Sequence, residues 1–125
     1  MSAKILVVDD EVQIVSLLEK RLKANGYRVV TAFDGEEGFK KACSERPDLI
    51  ILDVVMPKLS GIEVAFQLRA EEKTKHTPII MLTAILNKGD EERHVSFANS
   101  ICLAKPINSE ELLSKICEMT KGTAK

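Results

Sequence analysis

The chain has 125 residues, 45% of them hydrophobic and 30% charged, with a formal net charge of −1. That size suits one domain with its own core. The near-neutral balance excludes a broad basic field for nucleic acid, and no apolar stretch reaches the length of a membrane span. The first residues enter a strand at once, leaving no room for a signal peptide. Cys43, Cys102 and Cys117 are odd in number and lack a metal-ligand spacing, which points to reduced thiols in a cytoplasmic protein. Cys43 and Cys117 fall in helical patterns and are expected to be small core residues.

Lys4–Val8 is a continuous apolar strand. Over residues 11–24 the period changes: Ile14, Leu18 and Leu22 recur every four residues, with Val15 and Leu17 widening the stripe. Asn25 and Gly26 stop this helix. Residues 27–32, rich in β-branched side chains, form a second strand. Asp34 with Glu37 has the spacing of a capping box and opens a helix whose buried face includes Phe39, Ala42 and Cys43. Arg46 and Pro47 end it. Residues 49–52 are wholly apolar, without alternation, so this third strand is expected to be covered by helices on both faces. Ser60 with Glu63 is a second capping box, followed by a helix whose apolar side carries Ile62, Ala65, Phe66 and Leu68. Residues 78–82 form a fourth strand, residues 90–98 a weakly patterned helix, and residues 101–103 a short fifth strand. Asn108 caps a last helix through Leu112, Leu113, Ile116 and Met119. Residues 121–125 look like a frayed tail beyond an ordered core of about residues 4–120.

Five β–α alternations predict a doubly wound parallel sheet with right-handed crossovers. Acidic residues follow two of its strands: Asp9 and Asp10 after the first, Asp53 at the end of the third. Ligands of open α/β sheets gather beyond the carboxyl ends of the strands, where the strand order reverses. Order 2-1-3-4-5 makes the first and third strands neighbours and brings Asp9, Asp10 and Asp53 into one pocket. Two carboxylates 4 Å apart repel by about 4 kcal/mol at an effective dielectric near 20, so such a cluster implies a bound cation, a raised pKa, or both. Asp9 and Asp10 could alternatively cap the helix that begins near residue 11. Thr83 and Ala84 follow the fourth strand, and Lys105 and Pro106 the fifth.

This ordered set, with Met56, Pro57 and Gly61 after Asp53, resembles the receiver domain of two-component response regulators, of the single-domain, chemotaxis-regulator kind, over essentially the whole chain. The resemblance implies a flavodoxin-like fold and a phosphoacceptor module, 1–125, rather than a turnover enzyme. A carboxylate nucleophile, Asp53, can hold a phosphoryl group as an acyl phosphate. A hard cation, Mg²⁺ with Mn²⁺ as the alternative, would bind Asp10 and Asp53 directly, Asp9 through water, and the backbone carbonyl of Val55. Lys105 and Thr83 would meet the phosphoryl oxygens, and the bond between Lys105 and Pro106 would be cis. The donor would be a histidine kinase or histidine phosphotransfer protein. His76 and His94 are expected to face solvent, away from the chemistry.

The family's signal is a repacking of the face formed by the fourth helix, fifth strand and fifth helix, which a downstream target protein reads. Ala84, Cys102 and Pro106 are the switch and output positions. Relatives usually carry an aromatic residue where this chain has Cys102. They usually carry glycine at position 98, where this chain has Ala98, with Asn99 taking the left-handed conformation instead. A phosphorylation-independent interaction module is therefore the alternative reading. Val55 and Ile85 flank the water's route in similar proteins and, being apolar, should lengthen the phosphoryl lifetime. An aspartyl-phosphate phosphatase is disfavoured because Asp53, Val54 and Val55 lack that class's second acid. A flavin carrier is disfavoured because Asp9, Asp10 and Glu11 would repel its phosphate. No output domain follows the last helix in this chain, so it is expected either to act by protein–protein contact, as free-standing receivers do, or to be an excised piece of a larger protein; no direct nucleic-acid or membrane contact is expected of it. Monomer and phosphorylation-linked dimer both remain open.

Overall fold

The computed structural model describes residues 2–56, 59–84 and 99–120. Its elements run β1 (Lys4–Val8), α1 (Val12–Ala24), β2 (Arg28–Ala32), α2 (Gly35–Glu45), β3 (Leu49–Asp53), α3 (Gly61–Ala70), β4 (Ile79–Ala84), β5 (Ser100–Lys105) and α4 (Ser109–Met119). The five strands form one parallel sheet in the order β2-β1-β3-β4-β5. This is the expected doubly wound order, with the reversal between β1 and β3. The helix expected over residues 90–98 lies outside the described residues, as do Pro57, Ile85, His94, Ala98 and the tail.

Two apolar layers cover the sheet. Leu6, Val8, Ile50, Leu52 and Met81 belong to one cluster with Ala42 of α2 and Val64, Ala65 and Leu68 of α3. Ile5, Val7, Leu49, Ile51, Ile80 and Leu82 belong to the other, with Val15, Leu18 and Leu22 of α1 and Leu112 and Ile116 of α4. Successive residues of each strand thus alternate between clusters, as a pleated strand requires. All five residues of β3 are buried, which explains why its sequence lacks polar alternation.

Local chemistry sets the helix ends. The Asp34 carboxylate accepts from the Glu37 amide at 2.8 Å, and Glu37 Oε1 in turn accepts from the Phe33 amide at 2.8 Å. Ser60 and Asn108 cap α3 and α4 in the same way. Arg46 ends α2 with φ at 50°, a left-handed residue without glycine's freedom. Asn99 also has positive φ, at 57°. Its carbonyl accepts from the Ile79 amide and from Arg69 Nη2, while its Nδ2 donates to the His76 carbonyl. Arg69 Nη1 also donates to the Thr74 carbonyl, so the start of β5 is tied to the turn after α3.

Several expectations need correction. Leu17 is 52% exposed and Phe66 56%. The buried stripe of α1 runs through Val15, Leu18 and Leu22, and that of α3 through Val64, Ala65 and Leu68. Both residues lie off those stripes. Cys117 is exposed because Leu112 and Ile116, four residues apart, face the core and leave residue 117 rotated away. The last two strands run further than residues 78–82 and 101–103, because β4 extends to Ala84 and its pairing with β5 continues from Ser100 to Lys105. Cys43 is partly buried, and His76 is exposed as expected.

Candidate metal and phosphoryl site

The sheet register assembles the site. Val8 pairs with Leu52, so Asp9 emerges level with Asp53. Leu82 pairs with Asp53 and Ala84 with Lys105, which aligns the ends of β3, β4 and β5. Side-chain parity adds to this. Val7, Ile51 and Leu103 face the α1–α4 layer, so Asp9, Asp53 and Lys105, each two residues further on, emerge on that same side.

Lys105 Nζ stands 3.0 Å from Asp53 Oδ1 and 3.7 Å from Asp9 Oδ2. Asp9 and Asp53 are buried, whereas Asp10 is exposed. Asp9 Oδ1 accepts from the Glu11 amide at 2.9 Å. That bond lies ahead of α1, whose N-cap is Glu11 with no side-chain cap bond, so the helix-capping reading of Asp9 and Asp10 does not describe this turn. Asp9 Oδ2 is buried with no hydrogen-bond partner; Lys105 at 3.7 Å supplies attraction at a distance beyond that of a hydrogen bond.

Burial pushes the Asp9 carboxyl up to about 6. The Glu11 amide opposes this, the Asp53 charge adds to it, Lys105 opposes it and Asp10 adds to it. Burial alone would lower the Lys105 pKa, but the Asp53 hydrogen bond and the charges of Asp9, Asp53 and Glu11 outweigh it and raise it. Lys105 is thus held as an ammonium between two carboxylates.

Asp9, Asp10 and Asp53 each offer an oxygen, and these oxygens lie within 4.8 Å of one another. Three carboxylates facing one ammonium, with one buried oxygen lacking a partner, fit a hard divalent cation that prefers oxygen ligands.

Of the remaining expected site residues, Val55, Thr83, Ala84 and Pro106 fall at the same edge, whereas Cys102 does not. Thr83 is buried near the end of β4, and Ala84 is that strand's last residue. Cys102 is half-buried at mid-β5, paired with Met81 and packed on the α2–α3 cluster. The peptide bond between Lys105 and Pro106 is cis. Val55 is 70% exposed on the connection after β3.

Two features of the site depend on tertiary contacts. Lys105 reaches Asp9 as well as Asp53. Gly61 packs directly on the site's backbone: a Cβ there would collide with the Asp53 carbonyl and stand 2.8 Å from Val54 Cα. The Gly61 amide donates to the Val54 carbonyl at 2.9 Å. Its spacing after Asp53 marked Gly61, but the contact was visible only in three dimensions.

A doubly wound α/β sheet with carboxylates and a lysine at its reversal point defines the class. The receiver domain model of response regulators matches residues 5–117, and the chain belongs to that family. It is 47% identical over 116 residues to the alkaline phosphatase synthesis transcriptional regulatory protein PhoP of Bacillus subtilis, covering 93% of this chain and 48% of PhoP. It is 39% identical over 121 residues to the response regulator PleD of Caulobacter vibrioides, covering 97% of this chain and 27% of PleD. The chain therefore spans about half or less of the length of these curated relatives. Among solved structures, the chemotaxis protein CheY4 of Vibrio cholerae superposes with a TM-score of 0.85 at 36% identity, covering 95% of this chain and 99% of CheY4. The receiver domain of the sensor histidine kinase PA1611 of Pseudomonas aeruginosa, solved with magnesium in its active-site cleft, gives 0.85 at 32% identity, covering 97% of this chain and 99% of that one. Among the described residues, no helix is long and apolar enough to cross a membrane.

Proposed function

We propose that the chain is a single receiver domain working in the cytoplasm as a phosphoacceptor, with Asp53 as the nucleophile. The observation that carries this reading is Lys105 lying between buried Asp53 and buried Asp9, with Asp10 beside them. An Asp53 carboxylate oxygen attacks the phosphorus of a phosphohistidine on a histidine kinase or phosphotransfer protein. The P–N bond breaks, its electron pair leaves with the imidazole, and an acyl phosphate forms. Lys105 Nζ and the Thr83 hydroxyl stabilise the phosphoryl oxygens. Asp10 and Asp53 would hold Mg²⁺, or Mn²⁺, directly, with Asp9 through water and the Val55 carbonyl as further groups to hold it. When bound, the cation neutralises charge around the phosphoryl group. The magnesium in the PA1611 receiver supports this assignment by analogy.

The added charge then draws Thr83 and Ala84 inward, and a downstream protein reads the face that includes β5, with Cys102 and Pro106, and α4. This function is compatible with a monomer and with a phosphorylation-linked dimer, and it requires no nucleic acid or membrane contact. Exposed Val55, with Ile85 outside the described residues, favours a long-lived phosphoryl group. Incubation with acetyl phosphate and Mg²⁺, read by intact mass, tests the central claim. One phosphoryl group adds to the parent and none to Asp53→Asn. Equal uptake by both proteins defeats the assignment, and no uptake by either favours the phosphorylation-independent module.

A further inference from the structure

Between α2 and α3 lies a cleft of about 690 Å³, separate from the acidic site and open to solvent along one side. Phe39, Leu59 and Ala70 supply its apolar lining, and Asp34, Glu36 and Glu71 carry carboxylates at its walls. Among the described residues Lys40 is the one cation of the lining and stands 3.6 Å from Glu36, so the described lining keeps a negative excess. Phe66, 56% exposed, lies four residues before Ala70 and extends apolar surface along α3 beyond the cleft.

A groove open to solvent along its length leaves a bound small molecule more exposed than an enclosed small-ligand pocket does. It suits a segment carried by a larger body. The apolar lining between two helices is the helix-in-groove mode of recognition, and the carboxylates select a cationic rim on the incoming element. We propose that the α2–α3 groove docks a short basic amphipathic helix of a partner protein. Its apolar face covers Phe39, Leu59 and Ala70, and its Lys or Arg side chains meet Asp34, Glu36 and Glu71. None of the lining residues belongs to β5 or α4, so a partner held here leaves Lys105 and the β5 face uncovered. The inference does not depend on phosphorylation.

The test titrates the isotopically labelled protein, without metal, with a synthetic Leu/Lys peptide of about four helical turns. An equally long Leu/Glu peptide and phenethylamine serve as comparison arms. Saturable amide shifts for the Leu/Lys peptide, centred on residues 34–40 and 67–71, are expected. The double variant Glu36→Lys, Glu71→Lys, at one exposed and one partly buried position, should weaken binding about tenfold at low ionic strength. Ala70→Arg should block the groove while leaving the spectrum of the free protein native-like. Shifts scattered over other acidic surfaces, binding indifferent to the charge reversal, or equal affinity for the Leu/Glu peptide would overturn the proposal. Saturation of the groove by phenethylamine alone at equal affinity would replace the helix with a small amine.

Discussion

Asp9 carries the strongest electrostatic conflict in the described chain, because it is buried beside Asp53 with one oxygen lacking a hydrogen-bond partner. Its carboxyl is pushed up to about 6 from an ordinary value of 3.8. The metal-free folded state therefore binds this proton more tightly than the unfolded chain does. The stability this contributes is full below about pH 4 and is lost as pH rises through 6. Asp9→Asn should accordingly stabilise the metal-free protein relative to the parent at neutral pH. At about 1.4 kcal/mol per pKa unit the gain reaches 2–3 kcal/mol at most, and it should vanish near pH 4. Urea midpoints of both proteins in chelator across that range check the sign, and added Mg²⁺ should erase the parent's disadvantage. Gly61 is the second residue-scale constraint. Its missing Cβ lets the start of α3 rest on the Asp53 and Val54 backbone. Backbone cannot yield as a flexible side chain can, so Gly61→Ala should cost about 1–3 kcal/mol and move the amide resonances of residues 53–56. A native-like spectrum with an unchanged urea midpoint would contradict it.

At the scale of elements, caps and stripes explain most boundaries. Asp34→Ala removes the acceptor for the Glu37 amide and should lower stability by about 1 kcal/mol, read as a shift in urea midpoint at unchanged slope. The cap signals of α2, α3 and α4 were legible because capping depends on side chains within one turn. The burial of Leu17, Phe66 and Cys117 was not. A helix stripe predicts which face turns inward, but its width is set by the neighbours that cover it. β5 was underestimated for a related reason: Ser100 and Lys105 have little strand propensity of their own and are held by the β4 ladder.

On the scale of the whole molecule, the proposed function has a phosphoryl group at Asp53 signal to a partner through the side of the sheet that carries β4 and β5. Cys102 is paired with Met81 and packed against the α2–α3 cluster, and a thiol is too small to make the in–out motion of an aromatic side chain. The expected signal is a rearrangement of the connection between β4 and β5, without an aromatic rotamer change. Beryllium fluoride with Mg²⁺ should therefore shift amides across residues 86–104 as well as those of the pocket. Changes confined to residues 9–11, 53–56, 83 and 105 would show that phosphorylation stops at the site.

The one-dimensional pattern determined the β–α alternation of the described elements and the identity of the acidic residues, because periodicity, caps and residue chemistry are local properties, whereas the strand order rests on requiring the acidic strand ends to be neighbours. Only the tertiary structure decided that Asp9 is buried while Asp10 is exposed, that Lys105 spans Asp9 and Asp53, and that Gly61 rests against the Asp53 backbone. It also decided that α2 and α3 part to leave an acidic, apolar-lined groove. Those features depend on sheet register and helix packing, which join residues from 9 to 105 through contacts no single segment encodes.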